Sequence, residues 1–458
     1  MVAKKRRSRP RAGAAAAGSL ASSSVEELLL AALERGDDSF ETGRSLVTFK
    51  EGAAQEGLQF LGTQGLRVAS TRDFDDRALN LEAVGGADAV FLPEIGVALL
   101  GGEPAQERGL SAFAEIAADS PIESIDPEYF VFVDGAADEY YRGLGEEAET
   151  NSREYLRGFI RAAETIAKDL GLGGPAAAEE EAEAGAQVLG ATWGLNVCRV
   201  PLSSRSGAGI RLAVLDTGLD LGHPDFAGRP IVSRTFVGQP VQDLHGHGTH
   251  VTGTAAGTRT PPGAIPRYGI AFRSNIFIGK VLTNSGSGTQ IGILAGMAWA
   301  IANRCTVINM SLGGPGGPHP AYTAAGQNAL NNGCLIIAAA GNAGPGPTMQ
   351  PANSPTIMAV ASLDPPPLRP SSFSCRGKIE IAAPGRDIFS SWPRPIRYKT
   401  ISGTSMACPH VVGCGALWAE TSPALRAMNL WNRLRATARP LPFPPTQVGR
   451  GCVQAPVP

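Results

Sequence analysis

Three short segments of the 458-residue sequence carry side chains that could act on one another as acid, base and nucleophile. The first, LAVLDTG at 212–218, is an apolar run that ends in Asp216. It reads as a buried parallel strand, and an acid at the C-terminal end of such a strand points into the crevice where α/β sites form. The second, HGHGTHVTG, holds His245, His247 and His250, half of the six histidines in the chain. An imidazole titrates near neutrality, so a histidine here can take a proton and return it. The third, GTSMACPH, sets Ser405 two residues after Gly403 at the start of an apolar run that reaches Trp418. That run reads as a helix, whose first turn offers free N–H groups and a positive dipole end suited to a developing oxyanion. A serine hydroxyl is a poor nucleophile at neutral pH and needs a base to take its proton. His247 is the candidate base, and Asp216 the group that would hold its other ring nitrogen. Each segment alone has a plainer reading: Asp216 as a turn cap, Ser405 as an N-cap, the three histidines as unrelated surface groups; metal binding is a sharper rival for the histidines.

Together the three read differently. Asp216, His247 and Ser405 follow in that order at separations of 31 and 158 residues. In order, spacing and local sequence this resembles the subtilisin-like serine protease family (subtilases, peptidase S8). The resemblance covers about residues 190–458 and rests on VLDTGLDLGHPDF, HGHGTHVTGT, INMSLGG, AAAGN and GTSMACPH, with weaker matches at Lys280-Val281-Leu282 and GMAWAIAN. It implies a serine endopeptidase that cuts peptide bonds through an acyl-enzyme on Ser405, with Asp216, His247 and Ser405 as catalytic triad. It assigns Asn342 as the side-chain oxyanion donor beside the backbone N–H of Ser405. Ser311, Leu312, Gly313 and Gly314 would pair with an extended peptide as an added strand. Ala339, Ala340 and Gly341 would line the pocket for the residue before the scissile bond, with Met349 narrowing its floor. His223, His250 and His410 match structural positions, and His245 is expected near the cleft rim. The alternatives are a catalytically silent binding module and a metallohydrolase. For the latter, H-x-H-x-x-H is similar to the zinc motif of metallo-β-lactamase-like hydrolases, which wants an Asp where Thr249 stands. No cofactor is required by the triad chemistry. Asp225 matches a family calcium ligand, but the Pro-rich stretch 258–267 lacks an Asn-bearing loop, which argues against a high-affinity calcium site. Cys408 stands where the family usually has a serine.

From residue 188 onward apolar strands alternate with Gly-rich loops and helices, which reads as an α/β domain with a parallel central sheet and helices on both faces. Upstream, strands are expected at 46–49, 66–69, 89–92, 97–100 and 129–133, with helices at 53–61 and 105–117. This β-α-β-β-α-β pattern suggests a small α+β (ferredoxin-like) domain. Beside a subtilisin-like enzyme, residues 43–134 resemble a subtilisin propeptide, which implies a zymogen whose own N-terminal domain is an intramolecular inhibitor. Residues 1–42 read as a disordered basic tail with a short helix at 25–33. Residues 135–187 read as an amphipathic helix (Tyr155, Phe159, Ala163, Ile166, Leu170) and an acidic linker, with a maturation cut expected between Gly171 and Leu189. Residues 188–458 form the catalytic domain.

With 43% hydrophobic and 18% charged residues the chain is composed like a globular enzyme. A formal charge of -2 argues against a nucleic-acid partner held by electrostatics; the resemblance implies protein or peptide substrates as partners. No apolar run is long enough to predict a membrane span. Lys4 to Arg11 followed by Ala-Gly-Ser makes a weak secretory signal, so localisation stays open between cytoplasm and export. The seven cysteines form no CxxC pair and are expected as buried free thiols.

Overall fold

In the computed structural model, residues 23–35, 40–63, 65–73, 84, 86–101, 120–133 and 190–457 are described. The helices expected at 105–117 and 155–170, the acidic linker and the expected cut between 171 and 189 lie outside the described residues.

The N-terminal part runs Val25–Arg35 (α1), Glu41–Phe49 (β1), Ala54–Thr63 (α2), Val68–Ser70 (β2), Ala89–Leu92 (β3), Val97–Leu100 (β4) and Ile122–Val133 (β5). Ser24 and Glu27 open α1 reciprocally: Ser24 N–H donates to the Glu27 carboxylate at 3.0 Å, and Glu27 N–H donates to Ser24 Oγ at 3.2 Å. The strands lie in the order β5-β1-β4-β3-β2, antiparallel except where β2 runs parallel to β3 at the edge. Alternation divides the sheet's side chains. Val47, Phe49, Phe91, Ala98 and Leu100 pack with Leu61 of α2, while Leu46, Val90, Leu92, Val97 and Leu99 join the main core.

Two strands are longer than the sequence suggests. β1 begins at Glu41 rather than 46, because the buried Thr42 and Arg44 both donate to Glu128 at 2.6 Å. β5 begins at Ile122 rather than 129, through a charged stretch with Pro127. Its pairing with β1 shifts register on either side of the regular run Ser45–Thr48, where Pro127 lies opposite Ser45. The reading of 1–42 as disordered is narrowed by α1, which extends from Val25 to Arg35.

The C-terminal part continues with Arg211–Asp216 (β6), Ile231–Thr235 (β7), His247–Ala256 (α3), Asn275–Lys280 (β8), Ser287–Thr289 (β9), Gln290–Ala302 (α4), Val307–Met310 (β10) and Leu312–Gly313 (β11). Then follow Pro320–Asn331 (α5), Leu335–Ala339 (β12), Met358–Leu363 (β13), Ile381–Pro384 (β14), Ile388–Ser391 (β15), Tyr398–Ile401 (β16), Thr404–Thr421 (α6) and Ala427–Thr437 (α7). β14-β13-β12-β10-β6-β8-β7 form an all-parallel sheet. Its central strands β6, β10, β12 and β13 are buried, mostly apolar runs, as a sheet covered by helices requires, while the edge strand β7 is only partly buried. Strand order reverses at β6: the chain first lays down the edge strand β7, returns to β8 between β7 and β6, and then builds outward through β10, β12, β13 and β14 on the other side. Such a reversal opens a crevice at the carboxyl ends of the neighbouring strands. Asp216 ends β6 there, and Ser311 follows β10.

β5 belongs to both parts. Its N-terminal half pairs with β1, and its last four residues run between β9 and β11. Phe130, Val131 and Phe132 face Thr289, Gly288 and Ser287, while Phe132 and Val133 face Gly313 and Leu312. Glu128, just before, caps α4 by accepting the Ile291 N–H at 3.0 Å. No helix among the described residues is long and apolar enough to cross a membrane.

Candidate active site

The local fold of each expected residue follows from what surrounds it. α3 starts at His247 behind Gly246, whose φ of 106° suits glycine. A Cβ on the next glycine, Gly248, would lie 2.3 Å from the Gly218 carbonyl, so only glycine lets the helix start approach the end of β6. This approach brings His247 Nδ1 to 2.8 Å from Asp216 Oδ1. Both are buried, and Asp216 Oδ1 also accepts the Thr217 N–H at 2.8 Å. A carboxylate on Nδ1 makes that nitrogen the donor and leaves Nε2 as the basic one.

Ser405 sits in the first turn of α6, which packs against α3. Its hydroxyl donates to the Ser311 carbonyl at 3.1 Å, and the Ser311 hydroxyl returns a bond to the Ser405 carbonyl at 2.8 Å. Asn342 follows Gly341, which takes a φ of 105°. Its Oδ1 accepts from the Thr404 N–H at 2.8 Å and the Thr404 hydroxyl at 3.0 Å. The amide nitrogen is thereby turned toward the α6 N-terminus, where a Cβ on Gly403 would lie 3.3 Å from Asn342 Nδ2. Thr404 also accepts the Gly341 N–H at 3.1 Å, so one threonine orients the whole turn. Sequence reasoning passed over Thr404, although its place directly before the candidate nucleophile was the available signal.

The expected substrate segments lie beside this group. Leu312 and Gly313 are paired as a strand edge with β5, and Gly314 is bonded to Gln350 at 3.0 and 3.1 Å. Ala339 ends β12, and Ala340 accepts the Met349 N–H at 3.0 Å. Met349 is buried and packs where a Cβ on Gly341 would lie 2.7 Å from its sulfur, so it crowds this pocket. β9 was not anticipated. Its signal was the Gly-rich SGSGT run, whose Gly288 tolerates no Cβ because the Val281 carbonyl would be 2.5 Å away.

The three histidines of HxHxxH do not converge. His247 is held by Asp216, while His250 donates to the carbonyls of Ile388 and Lys399 at 2.9 and 3.1 Å. Burial lowers the His250 pKa to about 3, so it is a neutral structural group. The His245 ring lies 6.3 Å from that of His247, on the rim beside Gly286 and Val133. Among the described residues no cluster of three or more His, Cys, Asp or Glu could hold a metal ion. His410 donates to the Met406 carbonyl at 2.8 Å, and burial lowers its pKa to about 4. His223 bonds the Arg397 carbonyl at 2.9 Å. Cys408 is buried with its thiol on the Ile337 carbonyl at 3.2 Å, and all seven cysteines are buried.

The sequence pattern of the subtilase family (peptidase S8) matches residues 207–451, more than half of the chain. Subtilisin DY of Bacillus licheniformis is 37% identical over 246 residues, which cover 52% of this chain and 87% of that protein. Subtilisin Savinase of Lederbergia lenta is 37% identical over 254 residues, 54% of this chain and 91% of that protein. Among solved structures, a cold adapted subtilisin-like serine proteinase matches with a TM-score of 0.50 at 36% identity, covering 58% of this chain and 97% of that one. These matches fall on the segments that carry the site and the parallel sheet, and they do not favour a metallohydrolase or a silent module. The chain belongs to the subtilase family and is a serine-type endopeptidase.

Proposed function

We propose that Asp216, His247 and Ser405 are the triad of this endopeptidase, and that Asn342 completes its oxyanion site. The observation that carries the reading is the 2.8 Å contact between His247 Nδ1 and Asp216, which leaves Nε2 as base. In the reaction the Ser405 hydroxyl turns from the Ser311 carbonyl toward Nε2 and attacks the substrate carbonyl carbon as its proton passes to His247. Asp216 stabilises the imidazolium, and the Asn342 amide with the Ser405 N–H receives the oxyanion. His247 then gives its proton to the leaving amine, and water releases the acyl group by the same steps in reverse. Ser311, Leu312, Gly313 and Gly314 hold the substrate backbone, while Ala339, Ala340 and Gly341 flank the pocket beside Met349. No step needs a metal.

Residues 43–134 are read as a propeptide-like, ferredoxin-like domain and residues 188–458 as the catalytic domain. The antiparallel order β5-β1-β4-β3 supports the first part of this reading, with β2 as an added edge. The seating of β5 between β9 and β11 supports an intramolecular inhibitor, because it uses the backbone edge that a substrate strand needs. At Asp225 no calcium site is read: Tyr268 donates a short hydrogen bond to its carboxylate, and Tyr398 lies 3.1 and 3.2 Å from its two oxygens.

Once incubation has brought out hydrolysis of a peptide substrate, a fluorophosphonate should label Ser405. The Ser405→Ala chain should take no label and hydrolyse nothing while keeping its circular dichroism. Label on another serine, or hydrolysis by Ser405→Ala, would overturn the assignment.

A further inference from the structure

Asp243 is fully buried between the end of β6 and the start of α3, and its carboxylate accepts five hydrogen bonds. Oδ1 takes the Thr217 hydroxyl at 3.0 Å and the N–H groups of His245 and Gly246 at 3.0 and 2.8 Å. Oδ2 takes the N–H and hydroxyl of Thr249 at 2.9 and 2.7 Å. The partners lie on both sides of the Asp216–His247 contact. Thr217 follows Asp216, and its hydroxyl oxygen also accepts the Gly248 N–H at 2.9 Å. Residues 245, 246 and 249 bracket His247. A carboxylate rather than an amide is required, because backbone N–H donors face both oxygens: those of His245 and Gly246 on Oδ1 and that of Thr249 on Oδ2. Buried carboxylates are tolerated where hydrogen bonds and a nearby cation compensate their lost hydration. Lys280 is that cation: it is buried, donates to the Thr217 carbonyl and to Asn284 Oδ1 at 2.8 Å, and feels the fields of Asp243, Asp216 and Glu26.

We propose that Asp243, acting through Thr217, is the positioning residue of the active site. It fixes the first turn of α3 against the end of β6, so that His247 meets Asp216 in the orientation that aims Nε2 at the nucleophile. The proposal rests on the reading of His247 as the base. Asp243 touches neither substrate nor reacting atoms. Its effect is on the geometry of the base and, through its charge, on the stability of the imidazolium. The charged and titratable groups around the base are Asp216 on β6, Asp243 and His245 on the preceding loop, His250 on α3, Lys280 on β8 and, beyond it, Glu26 on α1.

The test compares the full chain with Asp243→Asn, Thr217→Val, Thr217→Ser and His247→Ala, by kcat and KM on one peptide substrate across pH and by thermal melting. Asp243→Asn should lower kcat about 10- to 100-fold with KM changed less than about twofold, since small misplacement of a catalytic group costs rate rather than binding. The acid limb of its kcat/KM profile should also move to lower pH. Removing the negative charge while Lys280 stays destabilises the imidazolium, so His247 releases its proton more readily. Thr217→Val should lower kcat in the same direction without moving the acid limb, because it removes a hydrogen bond and no charge. Thr217→Ser should match wild type. Wild-type kcat in folded Asp243→Asn, or a loss confined to KM, would overturn the proposal. If Asp243→Asn fails to fold, the threonine pair decides, and equal rates for Thr217→Val and Thr217→Ser overturn it. Activity in His247→Ala would instead mean that the reading of the base is wrong.

Discussion

Asn342 has an acceptor and a donor end, and only the acceptor is committed. Thr404 takes Oδ1 with two bonds, which aims Nδ2 at the space before Ser405. Asn342→Ala should therefore lower kcat roughly 10²- to 10³-fold with a small change in KM, as for loss of one preorganised oxyanion donor. Steady-state kinetics on one peptide checks this, and unaltered kcat would remove Asn342 from the site. Asp225 makes the complementary case for a site closed by protein groups. Burial, together with the Asp225 carboxylate, holds the Tyr268 hydroxyl well above the usual tyrosine range, so it stays a donor at any working pH. Chelation by EDTA should leave the melting temperature unchanged, and added calcium should not raise it. Tyr398→Phe removes a hydrogen bond to a carboxylate worth about 1.5–3 kcal/mol and should lower the melting temperature by several degrees. A chelator-induced fall reversed by calcium would show that an ion, not the tyrosines, holds this loop.

β5 is an element whose meaning lies in what holds its two faces. Val131 and Val133 join the core of the catalytic part. Phe130 and Phe132 face the other way, into a cluster with Val25, Leu28, Leu29 and Ala32 of α1, Phe40 and Val237. α1 thus roofs the strand that runs between β9 and β11, and Gln239 ties its Glu26 to the catalytic part at 3.0 Å. If β5 is the inhibitor, α1 must loosen before the strand leaves. Leu28→Ala removes a fully buried side chain worth about 2–3 kcal/mol, so activity should appear up to about 30- to 150-fold sooner. The lag before hydrolysis of a peptide substrate measures this, and an unchanged lag would show that α1 does not restrain release. Little of this arrangement was legible in the sequence. The apolar alternation of residues 129–133 announces a strand, but pairing with β9 and β11 uses backbone groups, which leave no mark on residue type. The seven residues before it, with Glu123, Asp126, Pro127 and Glu128, look like a loop. They become a strand only because Glu128 finds Arg44, Thr42 and the end of α4.

At the scale of the molecule, the placement of the proposed triad was legible because its residues stand at the ends of strongly patterned elements: Asp216 closing β6, His247 opening α3, Ser405 in the first turn of α6. Asp243 and Thr404 escaped notice because Asp and Thr are common in turns, and only the fold shows what they hold. The relation of the two halves was the least legible feature, and it bears on maturation. A cut between residues 171 and 189 is what a Gly/Pro-rich and acidic stretch suggests by composition. The direction of β5 argues for a different position. β5 runs antiparallel to β11 with Val133 opposite Leu312, and the residue before Leu312 is Ser311, whose carbonyl holds the Ser405 hydroxyl at 3.1 Å. The strand thus advances toward Ser405 as it reaches Val133. At strand spacing of about 3.3 Å per residue, the first peptide bonds after Val133 are the ones the nucleophile can reach while β5 stays paired. A bond between 171 and 189 can be cut only after β5 has left the cleft, or by another molecule. Incubated wild-type protein should therefore acquire a new N-terminus within about two or three residues of Val133, at a rate independent of protein concentration. N-terminal sequencing and intact mass of the products would identify it, with the Ser405→Ala chain remaining whole. A sole N-terminus between 171 and 189, formed faster at higher concentration, would make β5 a plug removed by cutting in trans. Protein that hydrolyses peptides yet remains whole would make the N-terminal half a permanent accessory and end the zymogen reading.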